Sequence, residues 1–412
     1  MKNEKRRAVL IILIAWLAYV ISYLGRTDYS ACMSAIIEET GVAQGTAGMV
    51  FSVFSLCNAF GQLAGGFVMR KVSPLKVIAA ELFTVCIINL VFPMTNSFAV
   101  MAILWGINGV MQATLLSGMT QIFAGSLKEP YLSRGAVLMN TIGAVGGLFN
   151  YIFAAAMIRW FRWQLVFYIV SGLLAVLGVI WCLAMPKLAG PVQKKETKKV
   201  TAGENEPFGK LLLRYGTLFV ILGGFFVGAL RESVSLWVPT YMKNTFGLSV
   251  STSTVITAVV PCVQISGAFL GGTFGRRSKT LHFPAAIAFI LSLCCLLSIR
   301  FLGNWNQAVS IWLFAINAAS MTAALTFLLS LFPVRYAGVG NIAVLVGVIN
   351  FAVHGGDFAA SYCIGSVSEK YGWDAALITL CGVAAAGVAV CLLGGIFCRK
   401  GEAKYDKARV SR

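Results

Sequence analysis

The chain has 412 residues, of which 58% are hydrophobic and only 12% are charged, and its mean hydropathy is +0.82. A soluble domain of this length needs a far more charged surface, so the composition excludes a soluble globular protein. The net charge of +18 would indicate a nucleic-acid partner in a soluble chain. Here we expect no such partner, because the basic residues follow the pattern of a membrane protein.

Twelve apolar segments follow one another along the chain, and each is close to the ~20 residues that cross a bilayer as a helix. They predict an all-α polytopic membrane protein with twelve transmembrane helices. The first segment follows "MKNEKRR" and is too long for a signal peptide, with no clear cleavage site after it. The predicted segments are 8–36, 46–69, 75–95, 98–125, 132–158, 163–185, 211–242, 252–274, 281–300, 306–332, 337–366 and 373–398.

The longest polar stretch, 186–210, divides the chain and is predicted to be a flexible cytoplasmic linker. It separates an N-terminal half, 1–185, from a C-terminal half, 211–412, which ends in a short tail. With the N-terminus in the cytoplasm, 25 of the 33 Lys and Arg residues fall on the cytoplasmic side and five on the other. This asymmetry predicts that both termini are cytoplasmic.

The two halves share a repeated sequence pattern. "GQLAGGFVMRK" at 61–71 matches "GAFLGGTFGRR" at 267–277, with an offset of 206 residues. "FRWQLVF" and "YGWDAAL" open the sixth and twelfth segments, with Trp163 and Trp373 offset by 210. Two six-helix halves related by duplication are typical of major facilitator transporters, in which the substrate site lies between the halves.

Two arginines lie at corresponding depths in predicted membrane helices. Arg26, in "ISYLGRTDYS", and Arg231, in "GALRESVSLWVPTYM", are offset by 205 residues. An arginine at this depth costs at least ~2.5–3.5 kcal/mol and usually marks a functional site. The alternative is an internal salt bridge, of Arg26 with Asp28 or of Arg231 with Glu232. Residues one or two apart point to different helix faces, which disfavours such pairs. Two guanidinium forks instead suit a dianion.

These motifs resemble those of the organophosphate:phosphate antiporters of the major facilitator superfamily. "YLGRTDYSACM", "LRESVSLWVPTYM" and "YGWDAA" carry the resemblance, with weaker matches at Asn108 and Gln112. The resemblance implies that Arg26 and Arg231 bind the substrate phosphoryl group and that the chain lies in a bacterial inner membrane. Gln62, Asn108 and Gln112 are further candidate substrate-binding residues. Gln62 stands where this family usually has a lysine, so the particular substrate stays open.

Aromatic and ionisable residues supply further candidates. Tyr23, Tyr29 and Trp237 lie close in sequence to the arginines and could form the wall of a site, although helix packing explains them equally well. His354 and Asp357 share a helix face at i, i+3 and could relay protons, or His354 could make only a local hydrogen bond.

Glu81 stands in the third segment near Lys76. We expect it to snorkel towards the membrane surface in a structural role.

The sequence therefore predicts a secondary transporter of a small organic anion, with a phosphate ester exchanged for inorganic phosphate as the first candidate. The anion would bridge the two arginines during alternating access. A proton-coupled carboxylate symporter and a transporter-like ligand sensor remain alternatives. We expect no enzymatic activity, since no phosphate-binding loop, metal cluster or nucleophile triad is visible, and no cofactor or metal. We also expect a monomer.

Overall fold

The computed structural model describes residues 2–139, 141–190, 216–303, 306–335 and 342–410, and nearly all of them are helical. Before the gap at 191–215 the helices are α1 Lys2–Thr40, α2 Gln44–Lys71, α3 Pro74–Val91, α4 Phe98–Gln112, α5 Leu115–Ser126, α6 Tyr131–Met139, α7 Ile142–Trp160 and α8 Gln164–Ala189. After it they are α9 Thr217–Phe246, α10 Val250–Thr257, α11 Val259–Arg277, α12 His282–Leu302, α13 Gln307–Leu325, α14 Phe332–Arg335 and α15 Ile342–Val410.

The helices coincide with the twelve predicted segments. Within the described residues, ten helical stretches are long and apolar enough to cross a membrane. The last of them, Val344–Cys398, is 55 residues long and is broken at Gly372, where φ is 81°, so it contains most of the eleventh segment and the whole of the twelfth. The fifth segment corresponds to α6 and α7, which are separated by residue 140, outside the described residues. The predicted all-α membrane fold is therefore confirmed.

Local breaks divide several of the predicted segments. The fourth becomes α4 and α5, the eighth becomes α10 and α11, and six residues of π-helix, Thr326–Leu331, follow α13. Most of the predicted linker, from residue 191 onwards, lies outside the described residues, and α8 itself continues to Ala189, past the predicted end of the sixth segment.

The described residues form two compact units. The first contains the helices before the 191–215 gap together with Leu248–Ala258, and the second contains the rest. In the first unit, Ser251 of α10 donates a hydrogen bond to the carbonyl oxygen of Ala155 in α7, at 2.8 Å. A short segment from the second half of the sequence is therefore part of the first unit.

The repeated glycines lie at one kind of helix contact in each unit. A Cβ atom on Gly61 of α2 would lie 2.8 Å from the Cβ of Ala113 and 3.0 Å from the backbone of Val110. Its counterpart Gly267, in α11, meets the backbone of Ala319 in α13 so closely that a Cβ atom would overlap it. Small residues let membrane helices approach this closely. The sequence repeat thus reflects two equivalent helix pairs, α2 with α4 and α11 with α13.

Candidate anion-binding site

Arg26 lies in the middle of α1 with its side chain partly exposed. Its guanidinium carbon stands 5.2 Å from the ring centre of Phe54 in α2, within the range of a cation–π contact. No carboxylate of the described residues lies within salt-bridge distance of it. Arg26 is therefore a cation at membrane depth whose charge no described side chain neutralises.

Asp28, the predicted alternative partner of Arg26, forms its hydrogen bond elsewhere. Asp28 is fully buried, and its Oδ1 accepts a hydrogen bond from the backbone N–H of Tyr29 at 2.7 Å. Its Oδ2 is buried with no hydrogen-bond partner in the described part of the chain. The alternative of an Arg26–Asp28 salt bridge is wrong for this structure.

Side-chain amides fix α1 on both sides of Arg26. The Asn108 Nδ2 donates to the carbonyl oxygen of Gly25 at 2.8 Å, and the Gln112 Nε2 donates to that of Ser22 at 3.3 Å. The Gln112 Nε2 also donates to the Asn108 Oδ1 at 2.8 Å. Asn108 and Gln112 are both buried, so they act mainly by positioning the turn of α1 that presents Arg26.

Three further side-chain amides extend this network, two from α2 and one from α7. The Gln62 Nε2 donates to the Asn58 Oδ1 at 2.7 Å, and Asn58 in turn donates to the carbonyl oxygen of Gly109 at 2.9 Å. The Asn150 Nδ2 donates to the Thr27 hydroxyl at 2.9 Å. Asn58 and Asn150 were missed by sequence reasoning, because an asparagine in an apolar helix gives no sign of which helix it contacts.

The tyrosines of α1 occupy different surroundings. Tyr23 is half-buried and packs against α7, where a Cβ atom on Gly146 would lie 2.8 Å from its ring. Tyr29 is fully buried, its hydroxyl donates to the carbonyl oxygen of Ala47 at 2.6 Å, and its ring packs against Trp105. Tyr29 therefore has a packing role in this structure, whereas Tyr23 keeps an accessible surface.

Arg231 differs from Arg26 in having an acidic partner. Its Nη2 lies 2.5 Å from the Oε1 of Glu232, and both side chains are largely buried. The expectation that adjacent residues are poorly placed for a salt bridge is wrong here. The two side chains are long enough to curve towards each other around the helix. The Nε of Arg231 remains buried with no hydrogen-bond partner in the described residues, so the guanidinium keeps donor capacity.

Trp237 lies two turns beyond Arg231 in α9 and is buried. Its indole N–H donates to the carbonyl oxygen of Ser361 at 3.0 Å, and its ring packs against Trp373 at 6.2 Å between centroids. Trp237 joins α9 to α15, so the structure gives it a packing role.

His354 and Asp357 both lie buried in α15, where this helix packs against α9. Ser361 donates to the Asp357 Oδ1 at 3.4 Å. A Cβ atom on Gly356 would overlap the backbone of Phe225, so glycine is what allows the two helices to meet here. The pair therefore lies at a tight helix contact, and its part in proton coupling stays a prediction.

Glu81 is a buried carboxyl that sequence reasoning misplaced. It is 1% exposed and accepts a hydrogen bond from the Ser22 hydroxyl, so the expected snorkelling is wrong. The other oxygen, Oε2, is buried with no hydrogen-bond partner in the described residues. Among those residues, no group of three or more His, Cys, Asp and Glu side chains could hold a metal ion.

Known proteins give the wider context of this site. Residues 15–361 match the family model described as Major Facilitator Superfamily. The chain is 23% identical to a D-galactonate transporter of Escherichia coli O6:H1, over 93% of this chain and 94% of that protein. It is 22% identical to a glycerol-3-phosphate transporter of Bacillus subtilis, over 95% of this chain and 92% of that protein.

A solved structure shows the same fold. A bacterial homologue of the human lysosomal transporter Spinster, in an inward-facing and unoccupied conformation, superposes with a TM-score of 0.74 at 15% identity, covering 97% of this chain and 98% of that one. The matched family and these relatives are transporters, so the chain is a multi-pass transporter and not an enzyme. The resemblance found in the sequence is confirmed at this level. The chain belongs to the Major Facilitator Superfamily.

Proposed function

We propose that this protein transports a small organic anion and that Arg26 is its principal anion-binding group. The supporting observation is a partly exposed guanidinium at membrane depth, with no carboxylate of the described residues within salt-bridge distance. Placing such a charge in a membrane costs at least ~2.5–3.5 kcal/mol, and that cost is offset when an anion binds it. The planar guanidinium can also hold a phosphate or carboxylate through two parallel hydrogen bonds.

Arg231 is proposed as a second anion-binding group that works by exchange of partners. Its contact with Glu232 neutralises it in the absence of substrate, and its Nε donor remains unused. A substrate oxygen could take that donor, or could replace the Glu232 carboxylate. Tyr23 and Gln62, both partly exposed residues of the first unit, are also proposed as substrate contacts. Asn108 and Gln112 are proposed to support the site through α1.

A phosphate ester exchanged for inorganic phosphate is the first candidate substrate. It is supported by the similarity to the glycerol-3-phosphate transporter and by the fit of arginine forks to phosphoryl oxygens. The partners of the protein would then be an organophosphate, inorganic phosphate and the lipid bilayer.

A carboxylate carried together with a proton is the second candidate. It is supported by the similarity to the D-galactonate transporter and by Gln62, which provides no charge at a position where the phosphate-exchanging family usually has a lysine. The buried side chains His354 and Asp357 would carry the proton.

Transport by purified protein in proteoliposomes tests both candidates. Vesicles loaded with inorganic phosphate should take up glycerol 3-phosphate without a pH gradient if exchange is correct. Empty vesicles should take up D-galactonate only with an inward proton gradient if symport is correct. Arg26→Lys should reduce either activity, whereas Arg159→Lys, an exposed arginine of α7 beside Trp160, is the matched control and should not. Equal transport by Arg26→Lys and the natural protein would refute the proposal.

A further inference from the structure

Glu81 has surroundings that disfavour a negative charge. It lies about two turns into the Pro74–Met94 span, on the side of α3 that carries the buried residues Ile78, Leu82 and Val85. Its only hydrogen bond in the described residues comes from Ser22, and its Oε2 is buried without a partner. A buried carboxylate requires an opposite charge or several donors, and in their absence the group takes up a proton.

Glu81 is also connected to Arg26. Ser22, its hydrogen-bond donor, precedes Arg26 by four residues and therefore lies one turn away on the same face of α1. Ser22 is in addition held through its carbonyl oxygen by Gln112. The Glu81 carboxyl is thus hydrogen-bonded to the turn of α1 that precedes the turn carrying Arg26.

The elements packed against α3 bring few other titratable groups to this region. From α1, the titratable groups within two turns of Ser22 are Tyr19, Tyr23, Arg26, Asp28 and Tyr29, and α4 and α5 carry none. The titratable groups of α8 are Tyr168, Cys182 and, in its last turn, Lys187. On α3 itself they are Lys76 and Cys86. Arg26, one turn from Ser22 along α1, is therefore the cation that a charge on Glu81 would affect through Ser22.

We propose that Glu81 is a proton-binding site and that its proton controls the affinity of Arg26 for the transported anion. This inference rests on the proposed role of Arg26. When Glu81 is ionised, its carboxylate attracts the guanidinium and competes with the anion. When the carboxylate takes a proton from water, the full charge of Arg26 is available to the substrate. The proton returns to water when a later conformation hydrates Glu81.

The coupling is reciprocal, so anion binding also promotes proton binding. Energies of this kind usually change affinity by about 5–150-fold. Anion affinity should therefore be high at low pH. It should fall by about 5–150-fold as the pH rises and Glu81 loses its proton.

The first test measures the proton without any ligand. Infrared spectra of the purified protein should contain a protonated-carboxyl C=O band that titrates with pH and is missing in Glu81→Gln. Asp28→Asn is the matched control, because it removes another buried carboxyl that has an unpartnered oxygen. A spectrum unchanged by Glu81→Gln would overturn the inference.

The second test measures D-galactonate and glycerol 3-phosphate binding between about pH 5.5 and 8.5. Over this range an ordinary carboxylate such as D-galactonate stays ionised, so its binding reports changes in the protein. Glu81→Gln mimics the protonated group and should bind D-galactonate equally well at both ends of the range. An unchanged pH dependence in this variant, or its loss in Asp28→Asn or Asp357→Asn instead, would overturn the inference. Normal binding by Arg26→Lys would count against the proposed function and not against the proton site.

Discussion

Replacing Arg26 with lysine should separate anion binding from folding. Lysine keeps the positive charge but loses the planar fork, so a bidentate contact becomes a single one. Charge-assisted hydrogen bonds contribute about 1.5–3 kcal/mol, so affinity should fall roughly ten- to a hundredfold. Stability should change little. The only described contact of the Arg26 guanidinium is the Phe54 ring at 5.2 Å, and such contacts contribute about 0.5–2 kcal/mol, most of which lysine retains.

Titration calorimetry and thermal melting in detergent measure the two effects on the same sample. Glycerol 3-phosphate and D-galactonate serve as the probe anions. The control is Arg159→Lys, which changes an exposed arginine that stacks on Trp160 at 5.5 Å. Normal affinity in Arg26→Lys would refute the anion-site reasoning. Normal affinity accompanied by a large fall in melting temperature would instead assign Arg26 a structural role.

Four other predictions follow from the described contacts and the sequence. Arg231→Gln should lower the melting temperature by removing the cation that lies 2.5 Å from the Glu232 carboxylate, and adding Glu232→Gln should restore melting but not anion binding. Asn108→Ala leaves a buried carbonyl of α1 without its side-chain donor, so it should cost about 1–3 kcal/mol of stability and weaken anion binding indirectly. If His354 and Asp357 relay protons, Asp357→Asn should abolish pH-driven uptake and leave exchange intact, and equal loss of both would favour a structural role. Reporter fusions after residue 200 and at the C-terminus should give a cytoplasmic signal, and a periplasmic signal from either would contradict the predicted topology.

The fold could be predicted because helix length, apolar composition and an internal repeat are all visible in the sequence. Which face of each helix packs against other helices could not be predicted. Lipid and a protein core are both apolar, so hydropathy does not reveal which side of a membrane helix faces other helices. Glu81 is the clearest case, since it was assigned to the membrane surface from its distance to Lys76 although its helix turns it towards Ser22.

The sequence could single out candidate residues for the site but not the contacts that they make. Arg26 could be identified because an isolated charge in an apolar helix is costly wherever its neighbours lie. The Arg231–Glu232 contact was missed because the argument from helix faces used only the directions of the Cβ atoms. Long side chains such as those of Arg and Glu can bend around the helix and meet. Tyr29 and Trp237 are candidates because of their polar atoms. In the structure, those atoms donate hydrogen bonds to backbone carbonyl oxygens of neighbouring helices.

The glycine contacts at Gly61 and Gly267 have a consequence for measuring movement in this protein. Where two backbones touch with no side chain between them, the helices have no room to slide or tilt against each other. Spin labels placed on the outer faces of α2 and α4, or of α11 and α13, should therefore keep constant separations throughout the working cycle. The distance within each pair would serve as an internal reference for changes in any other labelled distance.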